Sequence, residues 1–109
     1  MSESILKKYH KGLDEKNKVI LDEVLHDNFK FIMHASGKEL SKSELIEWAM
    51  SGDVMREKVR IIYENDEIGV EHSFVEFKSD GNKQAVLAVF KYDAHQIISL
   101  ETGATNMSK

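Results

Sequence analysis

The chain has 109 residues, 41% hydrophobic and 31% charged, with 15 Lys and Arg against 19 Asp and Glu and with neither Cys nor Pro. That length suits one domain spanning residues 1–109. The lack of Cys excludes disulfides, thiolate-held metals and thiol catalysis. The formal charge of −4 is spread evenly, which leaves no basic stripe for a phosphate backbone, so nucleic acid is not an expected partner.

The first residues, MSESILKK, lack the apolar core of a signal peptide. The longest apolar run is Ala85–Phe90 (AVLAVF), far short of the roughly 20 residues of a membrane helix. A cytoplasmic location with no membrane partner is therefore expected.

In chain order, Ile5, Leu6, Tyr9 and Leu13 form one apolar stripe of a first helix. Ser2 or Ser4 is its candidate cap, and Gly12 on the same stripe permits close approach of another element. The phase breaks near Asn17-Lys18, and Val19, Ile20, Val24 and Leu25 predict a second short helix ending near Asp27-Asn28. Phe29–Ala35 reads as a strand, with Phe29, Phe31 and Met33 on one face and His34 on the other. Ser36-Gly37 is a turn signal. Ser41-Lys42-Ser43-Glu44 is a capping box that opens a third helix carrying Leu45, Ile46, Ala49 and Met50, with Trp48 at its edge and Gly52 as its stop.

From Val54 onward the pattern is strand. Val59, Ile61 and Tyr63 alternate with Lys58, Arg60, Ile62 and Glu64, and Asn65-Asp66 turns the chain. Ile68–Lys78 follows, placing Ile68, Val70, His72, Phe74 and Glu76 on one face, which the alternation takes as the inner one. Asp80-Gly81 marks a hairpin. Gln84–Tyr92 is nearly all apolar, Asp93-Ala94-His95 turns again, and Gln96–Thr102 is the last strand. Three helices followed by an antiparallel meander make an α+β fold with helices packed on one face of a curved sheet.

Three stretches, Ile5–Leu13 with the second helix after it, Ser36–Ile46, and the meander ending Asp93–Thr102, resemble the nuclear transport factor 2-like (NTF2-like) superfamily. That group of cone-shaped α+β barrels includes SnoaL-like proteins and ketosteroid isomerases. The resemblance covers nearly the whole chain and rests on pattern rather than on a diagnostic motif. It implies an apolar pocket at the mouth of the cone, lined by the inner sheet face and the first and third helices. It also implies a homodimer through the outer sheet face, where Val75 and Phe77 would lie if Ile68, Val70 and Phe74 point inward. Loops or the chain's tail are the alternative cover for those two residues.

Tyr9 is similar in place to the tyrosine with which ketosteroid isomerases hold an enolate oxygen, and a phenol in an apolar cavity suits that role. The aspartate base of those enzymes has no counterpart, since Met33 or His34 takes its position. The protonated acid would fall near Ala88. Ketosteroid isomerase chemistry as such is therefore not expected. His72 breaks an apolar face beside Glu76, and a carboxylate there would fix its tautomer and raise its pKa. His72 and Tyr9 are accordingly the candidate catalytic residues, as acid/base and hydrogen-bond donor. The candidate ligand-binding residues are His34, Trp48, Phe74, Glu76, Phe90, Tyr92, Ser99 and Glu101. His34 faces outward by strict alternation, or inward if a bulge precedes Ser36.

The five histidines include no HxH or HxxxH pair, so no metal is expected, and no cofactor motif occurs. The sequence thus predicts an NTF2-like domain binding a small, largely apolar molecule, with cofactor-free isomerase- or dehydratase-type proton transfer as its chemistry. The alternative is a non-catalytic dimerisation or ligand-sensing module whose cone is filled by its own side chains, which the run Ala85–Phe90 slightly favours.

Overall fold

A computed structural model describes residues 4–107. The elements run α1 (Ile5–Asp14), α2 (Lys18–Val24), β1 (Leu25–Met33), β2 (Glu39–Ser41), α3 (Lys42–Ser51), β3 (Val54–Glu64), β4 (Ile68–Phe77), β5 (Lys83–Asp93) and β6 (Gln96–Asn106). Three helices lie on a curved, unclosed six-stranded sheet ordered β2-β1-β6-β5-β4-β3. Every strand pair is antiparallel except β1 with β6. Among the described residues no helix is long and apolar enough to cross a membrane.

Local chemistry explains the helices. Ser4 caps α1 by accepting from Lys7 N–H, while Ser2, the other candidate, lies outside the described residues. Asn17 caps α2 by accepting from Val19 and Ile20 N–H. At Ser41 the capping box is complete in both directions, which satisfies two otherwise orphaned N–H groups. A Cβ at Gly12 would stand 2.9 Å from Leu21 Cδ2, so the absent side chain is what lets α1 and α2 pack.

Burial of Leu6, Tyr9, Leu21, Leu25, Leu45, Phe90, Ile97 and Leu100 ties the helices to the sheet. Tyr9 meets Phe90 edge-on at 5.5 Å between ring centroids. The second helix ends sooner than its sequence suggests. Leu25 already pairs with Ile97 in the sheet and is fully buried, and an irregularity then absorbs the residues before Lys30. β2 has only three residues, too few to show a period.

Two strand faces differ from the sequence reading. In β4 the buried residues are Gly69, Glu71 and Ser73, so Val75 and Phe77 also point inward and His72, Phe74 and Glu76 point outward. The cause is close packing at the strand's start, where a Cβ on Gly69 would overlap the Tyr92 hydroxyl and stand 2.9 Å from Leu6 Cδ1. Only the face of the small residues fits beneath α1. In β6 the register shifts between Tyr92↔Ile97 and Lys91↔Ser99, leaving Ile98 as an extra residue. This bulge keeps Ile97 inside but turns Ser99 and Glu101 outward, since one added residue reverses the pleat.

Candidate functional site

Between α1, α3 and the inner sheet face lies a cavity of about 530 Å³. Its walls are mostly apolar, from Phe31, Leu45, Trp48, Val86, Phe90 and Leu100. The cone is therefore not filled by its own side chains. Ala88, Ala104, Ser73 and Thr102 project from the sheet floor and are too small to reach α3. A cavity of this size falls within the 300–1,000 Å³ common for small-molecule sites.

Polar groups enter this space at few points. Tyr9 comes from the inward stripe of α1 and Glu71 from the centre of β4, and both line the cavity while almost wholly buried. Burial pushes the Tyr9 phenol far above its ordinary pKa. The Arg56 guanidinium opposes that shift and the Glu71 carboxylate adds to it. Tyr9 thus stays a donor at any working pH, and its hydroxyl makes no hydrogen bond among the described residues. Glu71 Oε1 lies 2.7 Å from His10 Nε2, and with a carboxylate as acceptor the imidazole N–H donates. Glu71 Oε2 has no protein donor among the described residues. Arg56, on the inner face of β3, donates to Asp14 Oδ1 at 2.7 Å.

The residues singled out from sequence separate into two groups. Tyr9, Trp48 and Phe90 line the cavity. His72 lies across the sheet from it, paired with Leu87 and edge-on to Phe74 at 5.0 Å, so it cannot act with Tyr9 on one ligand. Phe74 and Glu76 share that outer face because the whole of β4 is turned over. Ser99 and Glu101 join them through the Ile98 bulge. His34 faces outward, as strict alternation gives, and its Nε2 meets Glu101 Oε1 at 3.1 Å in an exposed pair. Tyr92 points inward but spends its hydroxyl on Glu64 Oε2 at 2.6 Å, beyond the cavity's closed end. Burial and that carboxylate together push its phenol pKa far up.

Sequence reasoning missed Glu71, His10 and Arg56. The available signal was the other parity of β4, where Gly69, Glu71 and Ser73 form a face of two small residues around one acid. Among the described residues no group of three or more His, Asp or Glu side chains is placed to hold a metal ion.

No protein-family model matches the chain. No curated protein matches it either. Solved structures do match, by shape. An NTF2-like protein from Cytophaga hutchinsonii ATCC 33406 is 22% identical with a TM-score of 0.60, covering 93% of each chain. A second NTF2-like protein of unknown function from the same organism has a TM-score of 0.77 at 12% identity, over 96% of this chain and 95% of that one. A protein with a ketosteroid isomerase-like fold from Catenulispora acidiphila DSM 44928, in complex with trimethylamine, has a TM-score of 0.64 at 13% identity, over 94% of this chain and 86% of its own. The chain therefore has the NTF2-like fold.

Proposed function

We propose that this NTF2-like fold binds a small, largely apolar molecule in its cone and moves a proton on it without a cofactor, as isomerases and dehydratases do. One observation carries the reading. Tyr9 and Glu71, a donor and an acceptor with spare capacity, line one apolar cavity. In this reading Glu71 replaces His72 as the acid/base group. A neighbour of the same fold is in complex with trimethylamine, which supports the idea that proteins of this fold take small molecules.

The chemistry follows from the positions. A bound carbonyl oxygen accepts the Tyr9 O–H, and the Glu71 carboxylate takes a proton from the adjacent carbon. Negative charge then grows on the oxygen, where a fixed donor in a water-poor site stabilises it most. The raised phenol pKa keeps the proton on Tyr9, so the residue holds the oxyanion rather than protonating it. His10 occupies Oε1 and leaves Oε2 to act. The proton on Glu71 returns to the same or another carbon, which completes exchange or isomerisation.

The test is to follow solvent deuterium entering the α-carbon of apolar ketones such as tetralone by NMR, while Trp48 fluorescence reports binding. Exchange above the buffer rate that disappears in Glu71→Gln is the expected result. No fluorescence response and no exchange across the panel would overturn the reading.

The outer sheet face is our candidate for a homodimer contact. Ile62, Tyr63 and Leu87 are 49%, 55% and 47% exposed there, and a second copy would cover them. Light scattering should give twice the chain mass, reverting to one chain in Leu87→Glu. A wild-type monomer would reject it.

A further inference from the structure

We propose that the molecule taken by the cavity is an anion, an apolar body ending in a single carboxylate, with Arg56 as its recognition residue. This rests on the reading that the cone holds an apolar molecule, and goes beyond it by naming the charged end.

Charge placement carries the inference. The chain as a whole is acidic, with 19 Asp and Glu against 15 Lys and Arg. The cavity reverses that balance, since its wall and mouth hold Lys16, Arg56 and Lys78 against Asp14 and Glu71. Both carboxylates already have partners, Asp14 on Arg56 at 2.7 Å and Glu71 on His10 at 2.7 Å. Lys16 and Lys78 have no carboxylate within 4 Å among the described residues.

Arg56 is the deepest of the three cations. It projects inward from β3 opposite Val75, and its side chain is only 15% exposed. A guanidinium offers several N–H donors in a planar fork, and Asp14 takes one of them. Among the described residues Arg56 makes no other hydrogen bond, and no buried side-chain nitrogen is left without a partner. The remaining donors are therefore reachable by solvent, and Arg56 lines the cavity. An Arg held in place by a carboxylate on one edge is pre-organised to receive a second on another, which is the geometry it binds best.

The same arrangement argues for one negative charge rather than two. Asp14 and Glu71 stand close by, and a dianion such as a phosphate monoester would meet both. A monocarboxylate balances the excess and lets its apolar body run along Phe31, Trp48 and Phe90. Its position next to Tyr9 also joins the two sites, because Arg56 is near enough to pull against the rise in the Tyr9 pKa. An oxo acid could set its carboxylate on Arg56 and its carbonyl beneath Tyr9.

The experiment compares three probes with one body: phenylbutyrate, phenylbutanol and phenylbutylamine, titrated against the full chain by Trp48 fluorescence and calorimetry. The acid should bind about tenfold or more tighter than the alcohol, as a charge-assisted hydrogen bond provides, with the amine weakest. In Arg56→Gln, shown folded by its circular dichroism melt, the advantage of the acid over the alcohol should fall to within about twofold. Equal binding of acid and alcohol, or preference for the amine, would overturn the carboxylate while leaving an open apolar cavity intact. Failure of all three probes to bind would overturn the cavity reading and this inference with it.

Discussion

The cone holds two tyrosine–glutamate couples of opposite character. At the closed end Glu64 accepts from Tyr92 Oη at 2.6 Å, from Leu6 N–H at 3.1 Å and from the Ser4 hydroxyl. It thereby fastens the start of α1 to the end of β3. At the open end Tyr9 and Glu71 line one cavity, and Glu71 has a single partner, His10. Each couple is a phenol near an acid, and they differ only in how much hydrogen-bonding capacity the protein has used. A saturated couple is architecture. A couple left with free capacity at an apolar cavity is open to water, and in the function proposed above it supplies the donor and acceptor for a ligand.

The sharpest way to break this contrast is to make the same substitution in both acids. Glu71→Gln should lower deuterium exchange about a thousandfold, the scale of a lost general base, and leave the melting temperature near the parent value. Glu64→Gln should do the reverse, costing about 2 kcal/mol in denaturant unfolding while exchange persists in the folded fraction. Equal effects of both changes on exchange would erase the distinction. The tyrosines give a smaller version of the same test. Tyr9→Phe should slow exchange about a hundredfold, as removal of one oxyanion donor does, with little loss of stability. Tyr92→Phe should cost about 1 kcal/mol of stability and leave exchange alone.

This contrast was only half legible in the chain. The helices could be read because their causes are local: the Ser41–Glu44 box, the phase break near Asn17-Lys18 and the stripe ending at Leu13 all act within one or two turns. Asp80-Gly81 gave its hairpin for the same reason. Strand faces were another matter. The inner face of β4 carries Gly69, Glu71 and Ser73, and its outer face carries Ile68, Val70 and Phe74. Hydrophobic alternation therefore chose the wrong side. What decides the face is the fit of Gly69 beneath Leu6 and Tyr92, a contact between distant segments. The Ile98 bulge has no local signature either, and it carried Ser99 and Glu101 out of the site. Tyr9, Trp48 and Phe90 do face the cavity, because helix phase and a wholly apolar strand leave less choice of face.

Acid sharpens the comparison from the side of stability. Burial raises the pKa of Glu64, but hydrogen bonds from Ser4, Tyr92 and the Leu6 N–H, with the nearby His10, outweigh it and hold the group below the usual carboxylate range. A carboxyl with a depressed folded-state pKa binds its proton more readily when unfolded, so its contribution is present above the unfolded value of about 4.3 and fades as pH falls through the folded one. Denaturant midpoints measured from pH 7 down to pH 3 should therefore fall more steeply in the parent than in Glu64→Gln. Parallel slopes would show that Glu64 is not the acid-sensitive clasp.

The closed end, for all its saturated hydrogen bonds, is not free of strain, and this provides the finest test of whether the two ends are energetically separate. The turn between β5 and β6 places Ala94 at φ 52° and His95 at φ 65°. Two consecutive left-handed residues make the tight hairpin turn whose twist matches the strands, but Asn-Gly, not Ala-His, is the pair that adopts it readily. An alanine has neither the polar side chain nor the missing Cβ that makes this region accessible. The turn forms here because Tyr92↔Ile97 and Asp93↔Gln96 on either side fix the register, so the strands impose the conformation. Replacing Ala94-His95 with Asn-Gly should therefore raise stability by about 0.5–1 kcal/mol in urea unfolding. Because the turn lies beyond Glu64, far from the open mouth, probe affinity and deuterium exchange should not change. A change in exchange would mean that strain at the closed end is felt at Tyr9 and Glu71, and that the two couples belong to one mechanical unit.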